Sequence, residues 1–150
     1  MSFQERIDHD LKEAMKARQA ERLNVLRMLK SALTNLSIEK EGLNFVLSDV
    51  DALAVVRKEL KKRQDSIESF TKGNRPELAA KEMAEAEILT AYLPQALSPG
   101  ELKDLVAAAI AEAGATSKAQ MAAVMKIAVE RSAGRADGKA LSAAVAAALA

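Results

Sequence analysis

The sequence predicts an all-α protein in which an extended N-terminal helical part is joined to a small C-terminal three-helix module. Apolar residues recur at spacings of three and four along most of the 150 residues, which is the pattern of amphipathic helices. Proline and glycine stand between these periodic segments, where helices begin and end. No segment shows the strict alternation of apolar and polar residues that indicates a half-buried strand.

Four helices are expected in the N-terminal part. The first has apolar residues at a spacing of four: Phe3, Ile7, Leu11 and Met15. The second has a leucine stripe over residues 23–36 that ends near Gly42, and the third extends over about residues 50–72 until Gly73. Ser48 and Asp49 are candidate caps for this third helix. Pro76 begins the fourth, whose apolar residues are Leu78, Met83, Ile88, Leu89 and Tyr92.

Serine caps mark the first two helices of the C-terminal module. Ser98 is the predicted cap of the first, with Pro99 in its first turn and Glu101 positioned to close a capping box. Ser117 and Gln120 repeat this spacing for the second helix. The two caps predict where these helices begin.

The composition changes close to the predicted joint at 93–98. Alanine dominates the sequence that follows, and alanine-rich helices can approach one another closely, as a compact bundle requires. We therefore predict two domains, residues 1–95 and residues 96–150.

Composition and charge exclude several classes of protein. The chain has no cysteine, so disulfides, thiolate metal sites and a cysteine nucleophile are excluded. With 22 basic and 21 acidic residues, any contact with nucleic acid has to be a local patch. The N-terminal residues do not resemble a secretory signal, and no run is long and apolar enough for a membrane span. A cytoplasmic protein without membrane contact is expected.

A run of basic residues in the third helix has two interpretations. The five residues fall on one broad helical face and are Arg57, Lys58, Lys61, Lys62 and Arg63. They could contact phosphates, or they could form the solvated face of an amphipathic helix, with nearby acidic residues at a spacing of four. The spacing alone favours the solvated face.

Two other polar groups were considered as catalytic or metal-binding candidates. His9 is the only histidine, and its position on the first helix predicts exposure to solvent. Glu82 and Glu85 are helical neighbours that could bind Mg²⁺ or act in acid–base catalysis, but the wet side of a helix is the more common explanation. No catalytic residue, metal site or cofactor site is therefore predicted.

The segment "GRADGK" predicts a turn before the last helix. Asp137 is positioned to cap that helix, and the glycines at 134 and 138 tolerate turn conformations. Arg135 and Lys139 could instead bind an anion at the helix N-terminus, although the carboxylate of Asp137 would compete with that anion. The capped turn is favoured.

Several stretches in a fixed order carry a resemblance to a known family. They include "ERLNVLRMLKSAL", "KELKKRQDSIESF", "ILTAYLPQALSPGEL", "SKAQMAAVMK" and "GRADGKALSAAV". Together they resemble the YqeY family, or GatB/YqeY domain, over essentially the whole chain. This domain is similar to the tail of the B subunit of the tRNA-dependent Asp/Glu amidotransferases.

The resemblance implies a two-part helical fold whose C-terminal module contacts tRNA. Carried onto this chain, it points to Arg135, Asp137 and Lys139, with Lys118 and Lys126 as neighbours on the module. The family label, carbon–nitrogen ligase with glutamine as amido-N donor, is interpreted as an association, because the chain supplies no nucleophile, metal ligands or nucleotide-binding loop.

Three functions remain open at this point. The first is a non-catalytic accessory protein that contacts tRNA or a tRNA-handling complex. The second is a protein–protein adaptor without RNA affinity, which the near-zero net charge suits. The third is an amidotransferase component that is active only with other subunits.

Overall fold

The protein is all-α, as predicted. The computed structural model describes residues 1–150, which form seven helices and no strand. The chain divides into two compact units, Met1–Tyr92 and Leu93–Ala150, whereas the predicted boundary followed residue 95. None of the helices combines the length and the apolar composition that crossing a membrane requires.

The first unit contains four helices. Their bounds are α1 Phe3–Lys16, α2 Ala20–Lys40, α3 Asp49–Lys72 and α4 Pro76–Thr90. Helix α1 packs on α2, α3 packs on α4, and α2 contacts both α3 and α4. The centre of this unit consists of fully buried aliphatic residues: Ile7, Val25, Leu26, Leu29, Leu33, Val56 and Leu89.

Local sequence signals fix where these helices begin and end. Ser2 and Glu5 form a capping box at the start of α1, each side chain accepting a hydrogen bond from the other residue's backbone N–H. Ser48 caps α3 by accepting a hydrogen bond from the backbone of Asp51. Gly73 ends α3 as predicted, and Pro76 occupies the first turn of α4.

The sequence pattern predicts the buried faces of α1 and α4 only in part. Met15, Leu78 and Met83 are exposed, whereas Ala14 and Ala79 are buried. In α1 the predicted stripe has a strict spacing of four. Because an α-helix turns once every 3.6 residues, this stripe drifts around the axis and leaves the buried face at Met15. Ala14 and Ala79 therefore occupy buried positions, and the larger side chains of Met15, Leu78 and Met83 face solvent.

The second unit contains three helices, as predicted. They are α5 Pro99–Ala113, α6 Met121–Ser132 and α7 Gly138–Ala148, and a 3₁₀ turn over Lys118–Gln120 precedes α6. Both α6 and α7 pack on α5 and on each other. The core of the unit is small and aliphatic: Val106, Ala109, Val124, Ala128, Leu141 and Val145. Alanine in this core permits the short distances between helices that the composition indicated.

Candidate functional site

The turn between α6 and α7 has a defined and unusual backbone. Ala133 and Gly134 both have positive φ angles, 49° and 80°. The backbone N–H of Arg135 donates to the carbonyl of Ser132 over 2.9 Å. Asp137 then caps α7, because its Oδ1 accepts from the backbone N–H of Ala140 at 2.7 Å. The capped turn favoured by the sequence is present.

Arg135 joins this turn to the segment that precedes α5. Its Nε donates to the carbonyl of Gln95 at 2.9 Å, and its Nη2 donates to Oε2 of Glu101 at 2.8 Å. The carbonyl of Arg135 accepts from the backbone N–H of Leu97 at 3.1 Å. Its guanidinium is therefore already engaged by acceptors of its own unit, so an anion would have to compete for it.

The cap at Ser98 forms, but without the predicted capping box. The Ser98 hydroxyl accepts from the backbone N–H of Glu101 at 3.1 Å. The carboxylate of Glu101 turns instead to Arg135, 34 residues away in the chain. The guanidinium of Arg135 is the stronger partner, because it brings a full positive charge to the carboxylate and the backbone N–H of Ser98 does not.

The predicted side-chain cap at Ser117 is wrong. Ser117 precedes the 3₁₀ turn, but its side chain makes no capping hydrogen bond. Gln120 accepts with Oε1 from the backbone N–H and the hydroxyl of Thr116, at 2.7 and 3.3 Å. Because the 3₁₀ turn intervenes, α6 begins only at Met121, too far along the chain for Ser117 to reach its free N–H groups.

The four lysines of the C-terminal unit differ from its arginines. Lys103, Lys118, Lys126 and Lys139 are exposed, and their ammonium groups take part in no ion pair. Arg131, by contrast, pairs with Glu112 at 2.6 Å. Lys103 lies on α5, and the three lysines to which the family resemblance points, Lys118, Lys126 and Lys139, lie on the 3₁₀ turn, α6 and α7. All four are cations of this unit that are available to an external anion.

The basic face predicted on α3 is not a single exposed face. Arg63 is buried, with its side chain only 6% exposed, and its Nη1 donates to Oε2 of the buried Glu59 at 3.1 Å. Lys62 pairs with the other oxygen of Glu59, and Lys61 pairs with Asp65. The prediction of one five-residue face is therefore wrong at Arg63, because the residue points to the packed side of α3.

The other members of that run do not restore a basic face. Lys58 is exposed and takes part in no ion pair, whereas Arg57 is only partly exposed. One unpaired lysine is a weak site for phosphates. The solvated-face interpretation describes the exposed part of this run better than the phosphate-binding one.

Arg63 also connects three helices of the first unit. Its Nε lies 3.8 Å from Oε2 of Glu85 on α4, without a hydrogen-bond partner, and its Nη2 donates to the sulfur of Met28 on α2 at 3.4 Å. The sequence pattern offers Glu85 as a candidate catalytic or metal-binding carboxylate. The structure places it against a buried guanidinium, where it balances charge. His9, as predicted, is exposed.

A hydrogen-bonded tyrosine in the first unit was missed from the sequence. The Tyr92 hydroxyl donates to Oδ2 of Asp10 at 2.6 Å, and Nη2 of Arg22 lies 4.0 Å from the same oxygen. The guanidinium of Arg6 lies 4.8 Å from the ring centroid, and Phe3 meets the ring edge-on. Burial and the hydrogen bond to Asp10 raise the pKa of Tyr92 to about 12. As the only tyrosine of the chain, it could have been recognised as a residue that needs a buried partner.

Comparisons with known proteins identify the family that the chain resembles. A family model described as Yqey-like protein matches residues 4–149. An uncharacterised protein of Schizosaccharomyces pombe is 35% identical over 85 residues, which cover 57% of this chain and 67% of that protein.

Two further relatives carry the name altered inheritance of mitochondria protein 41, mitochondrial. The one from Lachancea thermotolerans is 38% identical over 89 residues, 57% of this chain and 45% of that protein. The one from Pyrenophora tritici-repentis is 28% identical over 107 residues, 70% of this chain and 58% of that protein. The chain thus spans about half the length of these mitochondrial relatives, and a cytoplasmic location stays a prediction.

Proposed function

The chain belongs to the YqeY family, and from this premise we propose that it is a non-catalytic accessory protein that contacts tRNA through Lys118, Lys126 and Lys139 of its C-terminal unit. The observation that carries the proposal is the exposure of Lys118, Lys126 and Lys139 without ion-pair partners. They lie on the unit whose sequence resembles the tail of the amidotransferase B subunit. Phosphate groups are the anions that exposed lysines contact on nucleic acids.

Arg135 is not among the residues proposed to contact tRNA. That residue was the first candidate from the sequence, but its guanidinium is held by Gln95 and Glu101. The neighbouring lysines carry no such internal bond. Arg135 has a positioning role here, because it holds the turn from which α7 and Lys139 project.

Three phosphate contacts have a measurable consequence. Each neutralised phosphate releases condensed counterions, so the logarithm of the binding constant falls with the logarithm of salt concentration with a slope of about −3 for three contacts. Such a slope is small, as suits a chain of net charge +1. Binding is therefore expected at low salt and strongly reduced near physiological salt.

The experiment is a salt titration of tRNA binding to the full chain, followed by fluorescence anisotropy of labelled tRNA. The test variant replaces the three lysines together: Lys118→Glu, Lys126→Glu and Lys139→Glu. The matched control makes the same charge change at three exposed, unpaired lysines of the first unit: Lys12→Glu, Lys58→Glu and Lys81→Glu. Circular dichroism verifies that both variants remain helical.

The expected result is binding that the test variant loses and the control variant largely keeps. No binding by the wild-type chain at low salt would overturn the proposal and favour the adaptor. Equal loss in both variants would show a non-specific effect of net charge. Glutamine-dependent amidation of a charged tRNA, on addition of a glutaminase subunit, would instead support the amidotransferase component.

A further inference from the structure

The loop between α2 and α3 is held in one shape by a single side chain. Gln4 on α1 donates with Nε2 to the hydroxyl of Ser37 at 3.0 Å and to the carbonyl of Phe45 at 3.2 Å. Its Oε1 accepts from the backbone N–H of Leu47 at 2.9 Å. Ser37 and Leu47 are buried. The amide nitrogen and the amide oxygen of the Gln4 side chain thus both hold this loop against α1 and α2.

The same loop and its two flanking helix ends expose large apolar side chains. Ile38 at the end of α2 is 54% exposed, Leu43 and Val46 on the loop are 67% and 62% exposed, and Val50 at the start of α3 is 48% exposed. We name these four residues the loop surface. Single exposed apolar residues are ordinary, but four within residues 38–50, beside a loop held by Gln4, are more than scattered exposure accounts for.

Acidic side chains flank the loop surface. Glu39, Glu41 and Asp49 are exposed and take part in no ion pair. The one lysine among them, Lys40, is neutralised by Asp51 at 3.2 Å. The loop surface is therefore apolar with an uncompensated negative charge at its margin.

We propose that the loop surface docks a basic amphipathic helix of another protein. Leucine or similar residues on one face of such a helix would cover the four apolar side chains, and its lysines or arginines would meet the three carboxylates. The fixed loop lowers the entropy cost of this contact, because Gln4 has already ordered the backbone before binding.

The negative charge at the margin of the loop surface disfavours a nucleic acid, an anionic membrane or a second copy of this chain as the partner. A nucleic-acid backbone or an anionic membrane would bring negative charge to Glu39, Glu41 and Asp49. A second copy in a two-fold symmetric contact would bring the same acidic margin from both chains into one interface and would supply no basic side chain to it. The surface lies on the first unit and uses none of the lysines proposed to contact tRNA, so the two proposals succeed or fail independently.

The test uses a labelled helical peptide of leucine and lysine, about 18 residues or five turns long, with the full chain. A peptide with the same pattern but glutamate for lysine is the charge control. The test variant is Leu43→Ser with Val46→Ser. The matched control is Met15→Ser with Met83→Ser, two apolar residues exposed to a similar degree elsewhere on the first unit.

Anisotropy should show that the lysine peptide binds the wild-type chain and binds the Leu43→Ser, Val46→Ser variant about tenfold more weakly. The methionine control should bind as the wild type does. Gln4→Ala should also weaken binding, because it frees the loop, while tyrosine fluorescence of Tyr92 checks that the first unit remains folded. The glutamate peptide should not bind.

Four results would overturn the proposal. One is equal binding of the lysine peptide to the loop variant and the methionine control, and another is equal binding of the two peptides. The third is self-association of the wild-type chain in sedimentation experiments that Leu43→Ser with Val46→Ser abolishes, which would identify a second copy as the occupant. Binding to anionic vesicles that is lost in the same variant would identify a membrane.

Discussion

Arg135 donates from Nη2 to the carboxylate of Glu101 at 2.8 Å, which joins the turn before α7 to the first turn of α5. The same guanidinium holds the carbonyl of Gln95 at 2.9 Å. A residue that the sequence indicates as a candidate anion ligand therefore organises the ends of two helices. Its substitution would change both the stability of the C-terminal unit and the position of its exposed lysines.

We expect Arg135→Gln to destabilise the C-terminal unit by about 1 kcal/mol, the usual net contribution of such hydrogen bonds when the partners are partly exposed. Hydrogen exchange of peptides covering α6 and α7 measures this change, because the second unit contains no tyrosine or phenylalanine. Lys139→Gln is the control and should change protection little. Equal protection in the two variants would contradict the joining role of Arg135.

The buried pair of Arg63 and Glu59 should matter far more than an exposed pair on the same helix. Arg63→Leu leaves Glu59 and Glu85 without their common guanidinium, and removal of one partner of a buried pair costs about 3–5 kcal/mol. Lys61→Leu breaks the pair with Asp65, which has the same spacing but is exposed, and should cost under about 1 kcal/mol.

Urea unfolding monitored by the single tyrosine measures both variants. The double variant Glu59→Leu with Arg63→Leu should recover part of the loss, because it removes both charges of the pair from the packed side of α3. A similar cost for Arg63→Leu and Lys61→Leu would show that burial does not determine the contribution of these pairs.

The stability of the first unit should fall at alkaline pH through Tyr92. Its pKa is raised to about 12 in the folded chain and is near 10 in an unfolded one, so the unfolded chain loses the proton first. The contribution of the neutral phenol is therefore complete below pH 10 and is lost as pH rises from about 10 through 12.

Absorbance of tyrosinate should locate the folded titration near pH 12, with no second tyrosine to confuse it. Tyr92→Phe removes the ionisable group and should show a smaller loss of stability between pH 10 and 12. It should also be less stable at neutral pH, because the hydrogen bond to Asp10 is gone. An identical alkaline loss in wild type and variant would exclude Tyr92 as its cause.

Ala133→Gly should stabilise the C-terminal unit. Ala133 adopts a φ of 49°, a left-handed conformation that costs a residue with a Cβ roughly 1 kcal/mol and glycine almost nothing. The same substitution at Ala123, exposed inside α6, should destabilise by a similar amount, about 1 kcal/mol, because glycine is a poor helix former. Hydrogen exchange of α6 should therefore shift in opposite directions in the two variants, and a shift in the same direction would contradict this reading of the turn.

The sequence predicts well those features that depend on neighbours in the chain. The helix class, the caps at Ser48, Ser98 and Asp137, and the glycine end of α3 follow from residues within one turn of each other. The predicted cap at Ser117 failed although its spacing was correct, because an intervening 3₁₀ turn delayed the start of α6.

The candidate sites were predicted less well, because charge and exposure depend on distant residues. Spacing placed Arg63 among exposed cations, but its environment is set by Met28 and Glu85 on other helices. Arg135 likewise has its partners 34 and 40 residues away. Only the packed structure shows which cationic side chains already have acidic or carbonyl partners within the chain.

By itself, the sequence determined that the chain is all-α, because helix formation depends on periodicity and capping among residues close in the chain. Its ordered stretches also indicated the YqeY family, to which the chain belongs. The tertiary structure decided which charged groups are buried, which remain free and which apolar residues stay exposed on the loop surface. These properties arise only when separate helices pack, because burial and ion pairing depend on residues that are far apart in the sequence.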